Sequence, residues 1–212
     1  MLTRWERART HYFDLGVTEH QDSVAAFFAD NPHLTDSDAL NADTAAFVAG
    51  YIGHLALDEM WIVDVYRPHF GQRSALGGDA QADVMDRVLQ YELDRRRRED
   101  PSCGDEIRTA LEGCSLAVDV GFLDSDTLQR WLTVAADVTR HPPTWDRFMF
   151  QGGRHLRHAG IDSEAALREL IERIPDVLER TLRHVSTAHV DAYLDQSRER
   201  AGGLARRFLG QS

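Results

Sequence analysis

The sequence predicts an all-α protein, a single-domain bundle of roughly seven or eight helices spanning residues 1–212. Apolar residues recur at helical spacing through most of the chain, and capping residues, prolines and glycines mark where helices begin and end. No segment indicates a strand, and no repeat or low-complexity linker divides the chain. A chain of 212 residues is long enough for one domain with a sizeable core.

Three helices are predicted in the N-terminal half. Thr18–Gln21 fits a capping box, and the helix after it closes at Asn31-Pro32, because the residue before a proline leaves the α region. Asp43 is placed to cap a long helix that runs to about Arg67. A third helix is expected over about 80–97, after a glycine-rich turn.

The C-terminal half continues the helical pattern. Its predicted helices span roughly 106–114, a stretch beginning at Ser125 or Asp126, and a long segment from Asp162 or Ser163 to about Gln196. Pro175 either kinks this last segment or divides it in two. The remaining residues, 197–212, are polar and arginine-rich, which favours a frayed tail.

The charge of the chain argues against several functions. A net charge of −11 disfavours general nucleic-acid binding and docking on anionic lipid. All 24 basic residues are arginine. The densest run, Arg95–Arg98, lies at the end of a predicted helix, where cations complement the helix dipole. A phosphate-binding patch is the alternative interpretation of this run.

Composition also bears on the compartment. The N-terminus lacks the apolar core of a signal peptide, and the longest weakly polar run, Ala45–Leu57, is too short to span a membrane. The two cysteines, Cys103 and Cys114, form no C-x-x-C motif and are expected to be free. We therefore expect a cytoplasmic protein without a transmembrane segment.

The most hydrophobic region, Ala45–Gly71, contains an apolar stripe with two polar residues in its middle. The stripe consists of Phe47, Tyr51, His54, Asp58, Trp61 and Val65. His54 and Asp58 are one helical turn apart, so an imidazole nitrogen and a carboxylate oxygen can converge on one cation. An unpaired buried polar group costs about 1–3 kcal/mol. The stripe therefore predicts either metal ligands or a satisfied His–Asp pair, with Tyr51 and Trp61 largely buried.

The remaining histidines give weaker signals. His155 and His158 are spaced for one helix face, but their arginine neighbours repel a cation. His184 and His189 diverge by more than a quarter turn. Surface positions are expected for His20, His33, His69 and His141. The sequence contains no H-E-x-x-H, P-loop or G-x-S-x-G motif.

Three segments together carry a family resemblance. THYFD at Thr10–Asp14 is followed some forty residues later by AAFVAGYIGHLALDE at Ala45–Glu59, and then by YRPHFG at Tyr66–Gly71. This order resembles the zinc-dependent phospholipase C family, particularly its intracellular bacterial relatives, with a specific match over about residues 3–71. The resemblance implies an all-α fold and hydrolysis of phosphate esters at a zinc cluster.

By this resemblance, His11, His54 and Asp58 match the three protein ligands of one zinc. The family's cluster takes further ligands from a segment before His11 and from a later H-x-x-x-E pair. Here the residues before His11 include Glu6 but no histidine, and no histidine has glutamate four residues later. The resemblance thus implies an N-terminally shortened relative with an incomplete cluster.

The expected function is a zinc-dependent hydrolase of phosphate esters, with phospholipid head groups among the substrates considered. The alternative is a non-catalytic helical protein of the same fold, in which the His–Asp pair is structural.

Overall fold

The computed structural model describes residues 10–114 and 117–211, excluding the side chains at positions 101, 149–152 and 154. Its α-helices, in chain order, are α1 (Ser23–Asp30), α2 (Ala42–Met60), α3 (Ala80–Arg98), α4 (Pro101–Glu112), α5 (Ser125–Arg140), α6 (Phe148–His158), α7 (Glu164–Glu172), α8 (Ile174–His184) and α9 (Thr187–Phe208). A π-helix, Trp61–Tyr66, and a short α-helical turn, Arg67–His69, continue α2 without a break. No strand occurs in the described ranges, which confirms the all-α class; a phospholipase C-like fold stays a prediction.

The N-terminal helices begin at capping residues that differ from those expected. Asp22, rather than Thr18, caps α1, and its carboxylate accepts from the backbone N–H of Ala25 at 2.9 Å. Asn41 caps α2, so Asp43 lies in the first turn instead. Both positions satisfy the same rule, because a short polar side chain accepts from an otherwise unpaired N–H of the first turn.

Two predicted starts in the C-terminal half match the structure, whereas the helix expected over 106–114 spans Pro101–Glu112. α5 begins at Ser125, and Ser163 caps α7. Pro175 divides the long segment, because α7 ends at Glu172 and α8 takes the proline in its first turn. α9 runs on to Phe208, so a helix occupies most of the segment for which composition favoured a frayed tail.

Residue contacts group the chain into two compact units, each assembled from separate segments. Unit 1 comprises Met1–Trp61, Leu111–Ala136 and Ala192–Ser212. Unit 2 comprises Ile62–Ala110 and Asp137–Asp191. Organisation of residues 1–212 as one domain stays a prediction.

The core of unit 1 forms around α1 and α2. Its buried members are Phe27, Leu34, Val48, Ile52, Leu55 and Val120. The ring of Phe27 contacts the rings of Tyr12, Tyr51 and Phe122 at centroid distances of 5.4, 5.2 and 5.9 Å. Because burying a large apolar side chain stabilises by about 1.5–3 kcal/mol, this cluster holds α1 on α2 and brings the N-terminal segment to the same place.

The core of unit 2 forms around α3, which packs against α6 and α8. Buried residues of α3 include Val84, Met85, Val88 and Leu89. The hydroxyl of Tyr91 donates to the carbonyl of Thr144 at 2.6 Å, and its ring lies 5.1 Å from that of Phe148. These contacts fix the start of α6 against α3.

The arginines at the end of α3 form hydrogen bonds with other residues of unit 2. Arg95 and Arg96 donate to Glu92, each through Nε at 2.7 Å. Arg98 donates to the carbonyls of Val138 and His141 at 2.7 and 2.6 Å. These partners favour the helix-terminus interpretation over a phosphate-binding patch.

One helical segment in the described part of the chain, Ala42–His69, is long and apolar enough to cross a membrane, with a mean hydropathy of 1.2 over its most apolar window. Half of that window is buried inside the protein, as it is for a core helix. The described residues therefore contain no clear transmembrane segment.

Candidate metal centre

The segment THYF is held in place by three of its four residues, Thr10, Tyr12 and Phe13. The hydroxyl of Tyr51 on α2 donates to the carbonyl of Thr10. The side-chain amide of Asn31 donates to the hydroxyl of Tyr12 at 3.0 Å. Phe13 is buried, with 3% of its surface exposed. The residues on both sides of His11 are therefore anchored, and the anchors determine where its ring lies.

The backbone between His11 and Phe13 is strained. Tyr12 has a φ of +53°, in the left-handed region that residues with a side chain seldom adopt. Such a conformation costs about 1–3 kcal/mol and persists only where surrounding contacts hold it. Burial raises the pKa of both Tyr12 and Tyr51, so their hydroxyl groups stay protonated at neutral pH and keep these contacts.

His11 and His54 meet although they are far apart in the sequence. Their ring centroids are 5.3 Å apart, and the ring planes are inclined by 68°. The hydroxyl of Thr10 lies 2.9 Å from Nδ1 of His11. This contact assigns Nδ1 to Thr10 and leaves Nε2 as the nitrogen for any other partner. The prediction that His11 lies against the His54 face of α2 is confirmed.

The stripe that contains His54 is only partly buried, so the expectation of a core face was wrong. Tyr51, Asp58 and Trp61 are half-buried, and His54 is exposed. The buried positions of α2 are Thr44, Ala45, Val48, Ala49, Ile52, Gly53, Leu55, Ala56 and Glu59. The inward face is therefore displaced by about one residue, or roughly 100°, from the predicted one. His54 and Asp58 lie at the edge of the core, where solvent reaches them.

The buried acid of α2 is Glu59, a residue to which the sequence patterns assigned no partner. Its Oε2 accepts from the backbone N–H of Ser23 at 2.8 Å and from the Ser23 hydroxyl at 2.7 Å. Ser23 is the first residue of α1, so the carboxylate lies at the positive end of that helix. This contact joins α1 to α2 and has a structural role. The spacing of Glu59 from Ile52 and Leu55 is the sequence signal that places it on the inward face.

The predicted ligand set is brought together only in part. His11 and His54 meet, and Asp58 lies one turn further along α2. Within residues 10–114 and 117–211, no group of three or more histidine, cysteine, aspartate or glutamate side chains is placed to hold a metal ion. The structure thus presents a pair of imidazoles with a half-buried carboxylate on the same helix.

Comparison with known proteins adds no relative. No protein-family model, no curated protein and no solved structure matches the chain. The class that the fold defines is an all-α protein, and the likeness to the zinc-dependent phospholipase C family remains a resemblance of three sequence segments.

Proposed function

We propose that this chain is a zinc-dependent hydrolase of phosphate esters, with zinc held by His11, His54 and Asp58. The contact between the two imidazoles carries the proposal. The centre of a ligating ring lies about 3.2 Å from zinc, so two such rings at a tetrahedral angle have centres about 5.2 Å apart. The observed separation of the His11 and His54 ring centroids is 5.3 Å.

The chemistry of these donors suits a hydrolytic zinc. Two imidazoles and a carboxylate with one open position are a common catalytic set. The contact of Thr10 with Nδ1 of His11 is the kind of outer contact that orients a ligating histidine. When bound, the ion would lower the pKa of a coordinated water and neutralise phosphate oxygens. The exposure of His54 leaves this edge of α2 accessible to a substrate.

The backbone at Tyr12 also supports a functional site here. Strained residues such as Tyr12 recur at active sites, where surrounding contacts hold a geometry that the chain would not otherwise adopt.

A non-catalytic helical protein is the competing function, and it is favoured by the absence of a three-ligand group among the described residues. In that case the edge-to-face contact of His11 with His54 is a packing interaction worth about 0.5–1.5 kcal/mol. The buried His–Asp pair that the sequence suggested is not its basis, because His54 is exposed.

Zinc analysis of protein purified without an affinity tag separates these functions. The wild type should bind zinc stoichiometrically, and at a hundredfold excess over the Kd the ion should stabilise it by about 2.7 kcal/mol. His54→Ala and Asp58→Ala should each lose the one equivalent of zinc bound at this centre, together with the rise in melting temperature that this equivalent provides. His20→Ala, which alters an exposed histidine outside the pair, should change neither.

Hydrolysis is measured on the same proteins with p-nitrophenyl phosphate, a monoester, and p-nitrophenyl phosphorylcholine, a diester. We expect zinc-dependent release of nitrophenol by the wild type and by His20→Ala only. If the wild type binds zinc but releases no nitrophenol, the proposed metal centre stands and the proposed hydrolase is refuted. A wild type that binds no zinc would refute both.

A further inference from the structure

Unit 2 contains a second pair of imidazoles, formed by His69 and His189. Their ring centroids are 5.1 Å apart, and the ring planes are inclined by 65°. His69 ends the helical turn that follows the π-helix, and His189 lies in the first turn of α9. Both side chains are half-buried. The separation again matches the spacing of about 5.2 Å between two rings that ligate one zinc.

The ring of His189 has a main-chain partner that assigns its two nitrogens. Nε2 of His189 lies 2.9 Å from the carbonyl oxygen of Asp64. A carbonyl only accepts, so Nε2 carries the proton and Nδ1 has the lone pair. A ring N–H held by a backbone carbonyl is the arrangement found behind most metal-ligating histidines.

We propose that His69 and His189 are the protein ligands of a divalent transition-metal site, additional to the centre at His11 and His54. Imidazole ligands suit Zn²⁺, Ni²⁺ and Cu²⁺, and water would occupy the other coordination positions.

Isothermal titration of the metal-free full chain with Zn²⁺ tests this site. The matched change is the double variant His69→Gln/His189→Gln, because glutamine retains an N–H for a backbone carbonyl but ligates zinc poorly. This variant should lose one equivalent of zinc relative to the wild type. His158→Gln, an exposed histidine on α6, should lose none.

His54→Ala is titrated in parallel, so that the two proposals fail separately. If the site exists, His54→Ala retains the equivalent that the double variant loses. The proposal is overturned if the double variant binds as much zinc as the wild type, whatever happens at His54.

A measurement on the wild type alone guards against misfolding of the variants. Diethyl pyrocarbonate modifies neutral imidazoles, and peptide mapping reports each histidine. At zinc ten times above the Kd, modification of His69 and His189 should slow roughly tenfold, because only the metal-free fraction reacts. Unchanged modification of these two residues would overturn the proposal.

Discussion

Replacing Tyr51 by phenylalanine should weaken zinc binding at the centre formed by His11 and His54. The Tyr51 hydroxyl donates to the carbonyl of Thr10, and the hydroxyl of Thr10 contacts Nδ1 of His11. Removing one oxygen atom therefore releases the residue that precedes His11. The aromatic ring stays, and with it the contact with Phe27 at a centroid distance of 5.2 Å.

The expected magnitude follows from the value of one hydrogen bond. A typical intramolecular hydrogen bond contributes about 1 kcal/mol net, and water can replace the lost partner because Thr10 is half-buried. The free energy of unfolding should fall by about that amount. Zinc binds the form in which the segment with Thr10 and His11 lies against α2, and the substitution makes this form less stable. The Kd for zinc should therefore rise by up to roughly fivefold, since 1.4 kcal/mol corresponds to a factor of ten.

Tyr91→Phe provides the matched control in unit 2. It removes a hydroxyl that donates to the carbonyl of Thr144 at 2.6 Å, which is the same chemical change within the other unit. Urea unfolding followed by circular dichroism gives the stability of both variants, and competition with a chromophoric chelator gives their zinc affinity. Both variants should lose stability, and only Tyr51→Phe should lose affinity. Equal zinc affinities would refute the idea that the Thr10 contact positions His11.

Three other substitutions test separate parts of the fold. Glu59→Gln removes an accepting oxygen from the buried start of α1 and should lower the free energy of unfolding in urea by about 1–3 kcal/mol. Its control is Glu179→Gln, which alters an exposed ion pair within one helix and should cost under about 0.5 kcal/mol. Equal losses would contradict the structural role of Glu59. Gly78→Ala should lower the melting temperature more than Gly77→Ala, because both have positive φ but only at Gly78 would a Cβ meet backbone, at 2.6 Å. Burial raises the pKa of Glu92, but hydrogen bonds from two arginines lower it by more, to a net value below 4.5. The stabilisation by ionised Glu92 is therefore present above pH 4.5 and lost as the pH falls through the lower folded-state pKa. In Glu92→Gln, the free energy of unfolding should fall less steeply with decreasing pH than in the wild type. The same pH dependence in both proteins would contradict this.

The helical class and several boundaries could be predicted because they depend on local signals. Ser125 begins α5 and Ser163 caps α7, and each belongs to a pair of adjacent polar residues, so the predicted start could differ by only one residue. The start of α1 differs, because Thr18 and Asp22 both satisfy the capping rule. The buried contact of Glu59 with the first residue of α1 favours Asp22, and that contact joins residues far apart in the chain.

The inward face of α2 could not be predicted with the same certainty as its existence. Apolar residues occur on most sides of this helix, so its periodicity does not identify one stripe. The stripe with the larger side chains, which includes Tyr51 and Trp61, was predicted to face inward. Smaller residues such as Val48 and Ile52 are the fully buried ones, because α1 approaches that side closely.

The two imidazole pairs show what sequence patterns report about a site. Spacing along one helix relates only residues a turn apart, so His54 could be joined to Asp58, while His69 was expected at the surface and His189 was compared only with His184. Both pairs have ring centroids just over 5 Å apart, and in both a ring nitrogen is engaged by an oxygen of the protein. The difference lies in the nearby acid. His54 has a carboxylate one turn away, whereas the acid at the second pair contributes its main-chain carbonyl. A catalytic zinc has three protein ligands and one open position, which is why hydrolysis is proposed for the first pair and metal binding alone for the second.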